Sequence, residues 1–166
     1  MDIIQWLTQE TLGKCVFTAM ISAIPVIELR VGLPTGVALG LPTWMAFLSA
    51  VAGNVLPAPF IIVYIRRIFQ WMRRYMPRLN RLVDKLETKA HLKGRTVSKY
   101  QYIGLWLFVA IPLPGTGAWT GSLVAAFLNM RLGKALPAVV LGVVTAACIM
   151  TALTYVGINL FSSSIF

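Results

Sequence analysis

The chain has 166 residues, 58% hydrophobic and 12% charged, with a mean hydropathy of +0.77. A soluble domain carries about twice that charge fraction, so composition excludes an ordinary water-soluble fold and leaves length for a handful of membrane segments only. The net charge of +10 is concentrated: residues 66–99 hold eleven Lys and Arg against Asp84 and Glu87, and so carry +9 of it. Between two apolar runs such a block marks the cytoplasmic side rather than a nucleic-acid surface.

Residues 1–14 place Ile3, Ile4, Leu7 and Leu12 on one helical face and lack a basic n-region or cleavage site, so an interfacial helix is expected rather than a secretory leader. Residues 15–41 are apolar except for Glu28 and Arg30, which are flanked by Pro25, Gly32, Pro34 and Gly36. Ionisable groups at membrane depth cost about 2.5–3.5 kcal/mol each and face a partner or a wet cavity. The Pro and Gly residues argue against one uninterrupted helix. Arms over Cys15–Ile27 and Val31–Leu41 would each rise about 16–20 Å, which is the length of a re-entrant hairpin arm.

Residues 42–65 read as a full span, with Trp44 as interface anchor, Arg66-Arg67 at the far end, and Asn54 near mid-depth. Asn54 serves either as a helix–helix hydrogen bond or as lining for the cavity of Glu28. Residues 66–100 form a basic cytoplasmic segment; Leu79, Leu82, Val83 and Leu86 recur at helical spacing after Pro77, so an amphipathic helix is expected on the leaflet. Arg66, Arg67, Arg73, Arg74, Arg78 and Arg81 are its candidate lipid-headgroup contacts, and His91 reads as solvated.

Residues 102–130 form a second apolar run, broken at Ile111-Pro-Leu-Pro-Gly-Thr-Gly-Ala-Trp-Thr-Gly121 into arms Tyr102–Ile111 and Trp119–Met130. Residues 135–160 make a second clean span, with Thr145 near its middle. Cys15 and Cys148 lie far apart in apolar surroundings and read as small buried residues.

Ala23-Ile-Pro25 matches Ala110-Ile-Pro112 at an offset of 87 residues, and both halves run break, arm, span. The expected fold is therefore all-α integral membrane: an inverted repeat of re-entrant helical hairpin plus transmembrane helix, with interfacial amphipathic helices. Positive-inside counting favours it over four simple spans, because it places Arg131 and Lys134 beside the basic segment with both termini outside. A unit this small leaves room for a homodimer that shields its polar tips.

Ile27-Glu-Leu-Arg-Val-Gly-Leu-Pro-Thr-Gly36 and Pro112-Leu-Pro-Gly-Thr-Gly-Ala-Trp-Thr-Gly121 resemble the bacterial small multidrug export protein family over residues 15–160. That family is distantly similar to the DedA/VTT superfamily, whose members have two facing re-entrant hairpins, an acidic residue in the first, and arginines near the second. Several DedA members are implicated in lipid movement, including undecaprenyl phosphate. The resemblance implies a multi-pass protein of the bacterial inner membrane and sets Glu28 at the acidic position; Arg30 and Arg131 meet the arginine pattern only loosely.

Facing hairpins would bring broken helix ends together near mid-membrane, where helix N-termini and the planar fork of Arg30 favour a phosphate or carboxylate. Gly115, Thr116 and Gly117 would let backbone approach the ligand, and Glu28 is a candidate proton carrier. Alternatively, Glu28 and Arg30 are a structural pair that caps helix ends, either meeting in the broken segment or each capping the opposite hairpin, and Trp119 is packing or an interface anchor rather than a substrate platform. The candidate substrate and ion site is thus Glu28, Arg30, Asn54, Gly115, Thr116, Gly117, Trp119 and Arg131. The expected activity is a transporter or flippase-like lipid translocase for an anionic, polyprenyl-phosphate or phospholipid substrate, coupled to protons or cations. The alternatives are a small multidrug or cation exporter using Glu28, and a non-transporting scaffold binding anionic lipid through its basic helix. No Ser/His, Cys/His or metal constellation appears at membrane depth, so neither enzyme chemistry nor a cofactor is expected, and the partners are membrane lipids and the substrate rather than nucleic acid.

Overall fold

The computed structural model describes residues 3–75, 94–113 and 115–165, and every regular element within them is an α-helix. The chain opens with α1 (Ile3–Gln9) and α2 (Thr11–Ala23), so the surface helix expected over residues 1–14 is divided and Thr11–Lys14 joins the first arm. α2 stops for a local reason. Ile24 precedes Pro25, whose ring pushes the preceding residue out of the helical region, and Ile24 sits at φ −71°, ψ 131°.

Helix resumes as α3 (Glu28–Ala38). The sequence places the two charges in the break; the structure places them in the first turn of α3. The bend is set at Pro25, while Gly32 and Pro34 ride inside the helix. Pro34 has no N–H to give the Arg30 carbonyl, so α3 forgoes one internal bond. α3 closes in a Schellman motif: Leu41 N–H reaches Gly36 O at 3.1 Å, Gly40 N–H reaches Val37 O at 2.9 Å, and Gly40 has φ +81°.

α4 (Thr43–Val55) and α5 (Pro57–Tyr75) follow, joined by Leu56 at helical dihedrals, so they form one bent rod. Pro57 and Pro59 lack the N–H groups that would keep it straight. Its apolar part spans Thr43–Ile68, 26 residues of mean hydropathy 1.9. The amphipathic helix expected around Leu79–Leu86 lies outside the described residues, as do Arg78, Arg81 and His91.

The second broken run becomes α6 (Gly94–Ala110) and α7 (Ala118–Phe127), with Ile111 before Pro112 repeating the local cause of the first break. α7 ends as α3 does: Met130 N–H reaches Ala125 O at 3.0 Å, Asn129 N–H reaches Ala126 O at 3.1 Å, and Asn129 takes φ +49°. α8 (Leu132–Ile165) has 34 residues, apolar from Leu132 to Gly157.

α2, α3 and α4 pack on one another, as do α6, α7 and α8; α5 against α7 and α3 against α8 tie the halves together. Small residues make these approaches close. Gly32 faces Ser22, Gly36 faces Thr18 and Ala46, Gly53 faces the Ala19 backbone, and Gly121 and Gly142 face Val109. Lipid offers no hydrophobic drive between helices, so contact of this kind is what holds them. Thr18 and Ser22 return their hydroxyls to carbonyls one turn back, each at 2.8 Å. Leu29, Leu33, Ile62, Val109, Val139 and Val143 fill the core.

Only 33% of each long apolar window is buried, and Leu48, Phe60, Leu141 and Leu153 stand exposed on the two rods. Rods apolar on nearly all sides suit hydrocarbon rather than water. Cys148 is exposed rather than buried, and Cys15 is half-buried; both are free thiols.

Candidate functional site

The two bends meet. Glu28 is 3% exposed, and its Oε1 accepts the Trp119 N–H at 3.2 Å. Trp119 lies in the first turn of α7, where N–H groups lack intrahelical partners, and the N-cap residue there is Gly117, which has no side chain to offer. The carboxylate of one helix pair therefore caps a helix of the other, where the helix dipole favours negative charge. Arg30 is half-buried and its Nη2 donates to Thr116 O at 2.5 Å and to Thr116 Oγ1 at 2.8 Å. Trp119 Nε1 donates to Ala23 O, a terminal carbonyl of α2, at 3.1 Å. Glu28 and Arg30 thus bond across the bends rather than to each other.

Thr116 is fixed in turn. Its Oγ1 lies 2.6 Å from Ile111 O and 2.8 Å from Leu113 O, and it accepts the Leu113 N–H at 3.2 Å. One hydroxyl proton serves one of those carbonyls at a time.

The first bend is strained where the second is not. Val26 has φ +74° and Glu28 φ +51°, left-handed backbone that costs a residue with a side chain about 1–3 kcal/mol. The second bend meets the same need with Gly115 (φ +86°) and Gly117 (φ +131°). Gly117 lies directly against the Glu28 carboxylate, and a Cβ there would overlap it.

Behind Glu28 is a cavity of about 10 Å³, lined by Glu28, Leu29, Arg30, Asn54, Val109, Gly117, Ala118, Val143 and Ala146. That is space for about one water. Asn54 is 1% exposed, and no protein group bonds its Oδ1 or Nδ2. Thr145, its expected match in the second span, is satisfied: it accepts Trp106 Nε1 at 3.2 Å and donates to Leu141 O at 2.8 Å.

Glu28, Arg30, Asn54, Thr116, Gly117 and Trp119 are therefore gathered at one place. Gly115 is exposed at the bend and does not line the cavity. Arg131 is elsewhere: its carbonyl accepts the Lys134 and Ala135 N–H groups at 3.0 and 2.9 Å, so it starts α8 at the opposite end of α7 from the bend. There it lines an open cleft of about 450 Å³ with Gln101, Tyr102 and Lys134, whose Nζ lies 5.9 Å from the Tyr102 ring centre. Arg66 is half-buried and Arg67 exposed; Arg73 and Arg74 lie on α5. In this conformation the cavity has no room for an organic anion, and the Arg30 fork is engaged by Thr116. Sequence reasoning missed the Ala23 carbonyl and the apolar lining of Val109, Val143 and Ala146, whose single signal is small or branched residues at helical spacing.

The family described as "Putative small multi-drug export protein" matches residues 28–149. The chain belongs to that family. The matched span opens at Glu28 and contains every residue that lines the cavity. No curated protein and no solved structure matches the chain. Family membership and the two long apolar helices mark the chain as a helical membrane protein. The family's description points to a transporter rather than an enzyme.

Proposed function

We propose that this protein is a transporter built as an inverted repeat. In this reading α2–α3 and α6–α7 are re-entrant hairpins and the rods α4–α5 and α8 are the spans. Several matched details support it. Both breaks follow an Ile-Pro, both second arms end in the same Schellman motif, and Gly53 on the Ala19 backbone has its counterpart in Gly142 on the Trp106 backbone. In this reading positive-inside counting puts Arg131, Lys134 and the basic segment 66–100 together on the cytoplasmic side of a bacterial inner membrane.

The observation that carries the function is the cross-bend latch of Glu28 to Trp119 and Arg30 to Thr116. Charged side chains spent on helix ends at membrane depth are what a closed gate requires, because each becomes free for a ligand when the bends part. On opening, Arg30 and the α7 N-terminus would offer donors to an anionic head, so an anionic amphiphile such as a polyprenyl phosphate or phospholipid is the proposed cargo, with proton or cation coupling through Glu28. The family's description favours a second reading, export of small cationic compounds with Glu28 as the cation site.

Full-length protein in liposomes tests both. The first reading expects leaflet-to-leaflet movement of a labelled polyprenyl phosphate or short-chain phospholipid, reduced about tenfold or more by Arg30→Ala. Drug-dependent proton flux that is abolished by Glu28→Gln but spared by Arg30→Lys selects cation export instead. Loss of neither activity on substituting Glu28 and Arg30 refutes both, and leaves a scaffold acting through its basic segment.

A further inference from the structure

The orphaned amide of Asn54 is the clearest unmet demand among the described residues. A buried side-chain amide with no partner costs stability unless something else bonds it. Asn54 lines a cavity together with Glu28 and Arg30, with Leu29, Val109, Val143 and Ala146 as apolar walls, and both polar atoms of its amide are buried without a protein partner. The volume of about 10 Å³ admits about one water, and a buried water needs about two to four polar partners.

Building on the transport reading above, we infer that this cavity is a one-water site in which Asn54 holds the water against Glu28, and that the coupling ion is a proton rather than calcium or magnesium. The ligand count decides between the two. Calcium takes about six to eight oxygens and magnesium a near-ideal octahedron. Here the side-chain oxygens are those of Glu28 and Asn54, one of them already accepts the Trp119 N–H, and the Arg30 guanidinium on the same wall repels a cation. Water meets the same groups without conflict: it accepts from Asn54 Nδ2 and donates to Asn54 Oδ1 or to the Glu28 carboxylate.

The step is a plain transfer. The O–H bond of the protonated Glu28 carboxyl breaks and its electron pair stays on the carboxylate; a new O–H bond forms on the cavity water, which in the same step gives one of its own protons to solvent water admitted when the bends part. The carboxylate left behind keeps the Trp119 N–H and the nearby Arg30 charge. Among the described residues no titratable side chain besides Glu28 and Arg30 lines the cavity: α4 contributes Asn54, α6 Val109, α7 Ala118 with the preceding Gly117, and α8 Val143 and Ala146. Asn54 is accordingly a positioning residue, acting through the water.

The test is water-edited NMR on isotopically labelled full-length protein in lipid bilayers. The expected result is magnetisation transfer from water to the Asn54 amide and the Glu28 carboxyl carbon, unchanged by added sodium, potassium or magnesium ions. Asn54→Leu should weaken the Glu28 signal about tenfold, Asn54→Ser should keep most of it, and Thr145→Val should leave it alone. A dry Asn54, a Glu28 signal indifferent to Asn54→Leu, or a metal-dependent shift at either residue overturns the inference. Failure of transport in liposomes with the water signal intact removes the transport reading and leaves the water site standing.

Discussion

Replacing Gly117 by Ala isolates the packing at the centre of the molecule. Two costs arise together. The residue sits at φ +131°, ψ −169°, a region that glycine alone occupies readily, so a side chain costs about 1–3 kcal/mol in backbone strain. The added Cβ also falls on the Glu28 carboxylate, and overpacking of a filled site costs about 1–3 kcal/mol more. The sum is about 2–6 kcal/mol. Gly115→Ala is the internal control: it has φ +86° but open space within 4 Å of a Cβ, so it carries the backbone cost alone, about 1–2 kcal/mol. Equilibrium unfolding in detergent micelles reads both. A double-mutant cycle with Glu28→Ala separates the terms, because removing the carboxylate relieves the overlap and leaves the backbone strain. The expected coupling is about 1–3 kcal/mol, with the double variant more stable than additivity allows. Equal effects at Gly115 and Gly117, or coupling below about 0.5 kcal/mol, would mean that the carboxylate does not rest on Gly117.

Other substitutions probe the neighbouring contacts. Trp119→Phe replaces the indole by a smaller aromatic ring and removes the donor to Ala23 O, and should cost at least about 1–2 kcal/mol in the same unfolding assay. Val26→Gly should stabilise by about 1 kcal/mol, because Val26 is 88% exposed and loses only its left-handed strain; no gain would contradict the φ of +74°. Ser122→Ala should be neutral or stabilising, since its buried Oγ bonds no protein group; a loss above about 1 kcal/mol would reveal a partner. For topology, cysteines at Val97, Leu132 and Ser164 should react so that Val97 and Leu132 share one face of the membrane and Ser164 takes the other. Leu132 opposite Val97 would restore four uninterrupted crossings.

The class of the fold was legible because it depends on composition: apolar runs punctuated by Pro and Gly leave few options in lipid. The gathering of Glu28, Arg30, Thr116, Gly117 and Trp119 was legible for the same reason, since charges in an apolar run must find partners. Where each break falls was not. Pro25 and Pro34 look alike in sequence, yet the chain bends at Pro25 and keeps its helix through Pro34, because tertiary packing of Gly32 and Gly36 on α2 holds that turn. Arg131 follows the second arm as the sequence reading has it, but α7 is a rigid helix that carries it away from the bend, so it lines the open cleft and not the cavity of Glu28. The different situations of the two mid-depth polar residues were not legible either: Thr145 finds Trp106, a partner one helix away that no local pattern announces, and Asn54 finds no protein partner.

The latch has unlike jaws. Position 28 carries an acid where its counterpart at 117 carries no side chain at all, and the guanidinium of Arg30 stands where the other half presents the indole of Trp119. Two nearly equal halves could part from either side with similar mechanical effort. In the proposed transporter a cargo entering between the bends would meet a cation from one half and an aromatic ring from the other. Direction of travel, in such a device, would be written in the mismatch between repeats and not in the path of the chain.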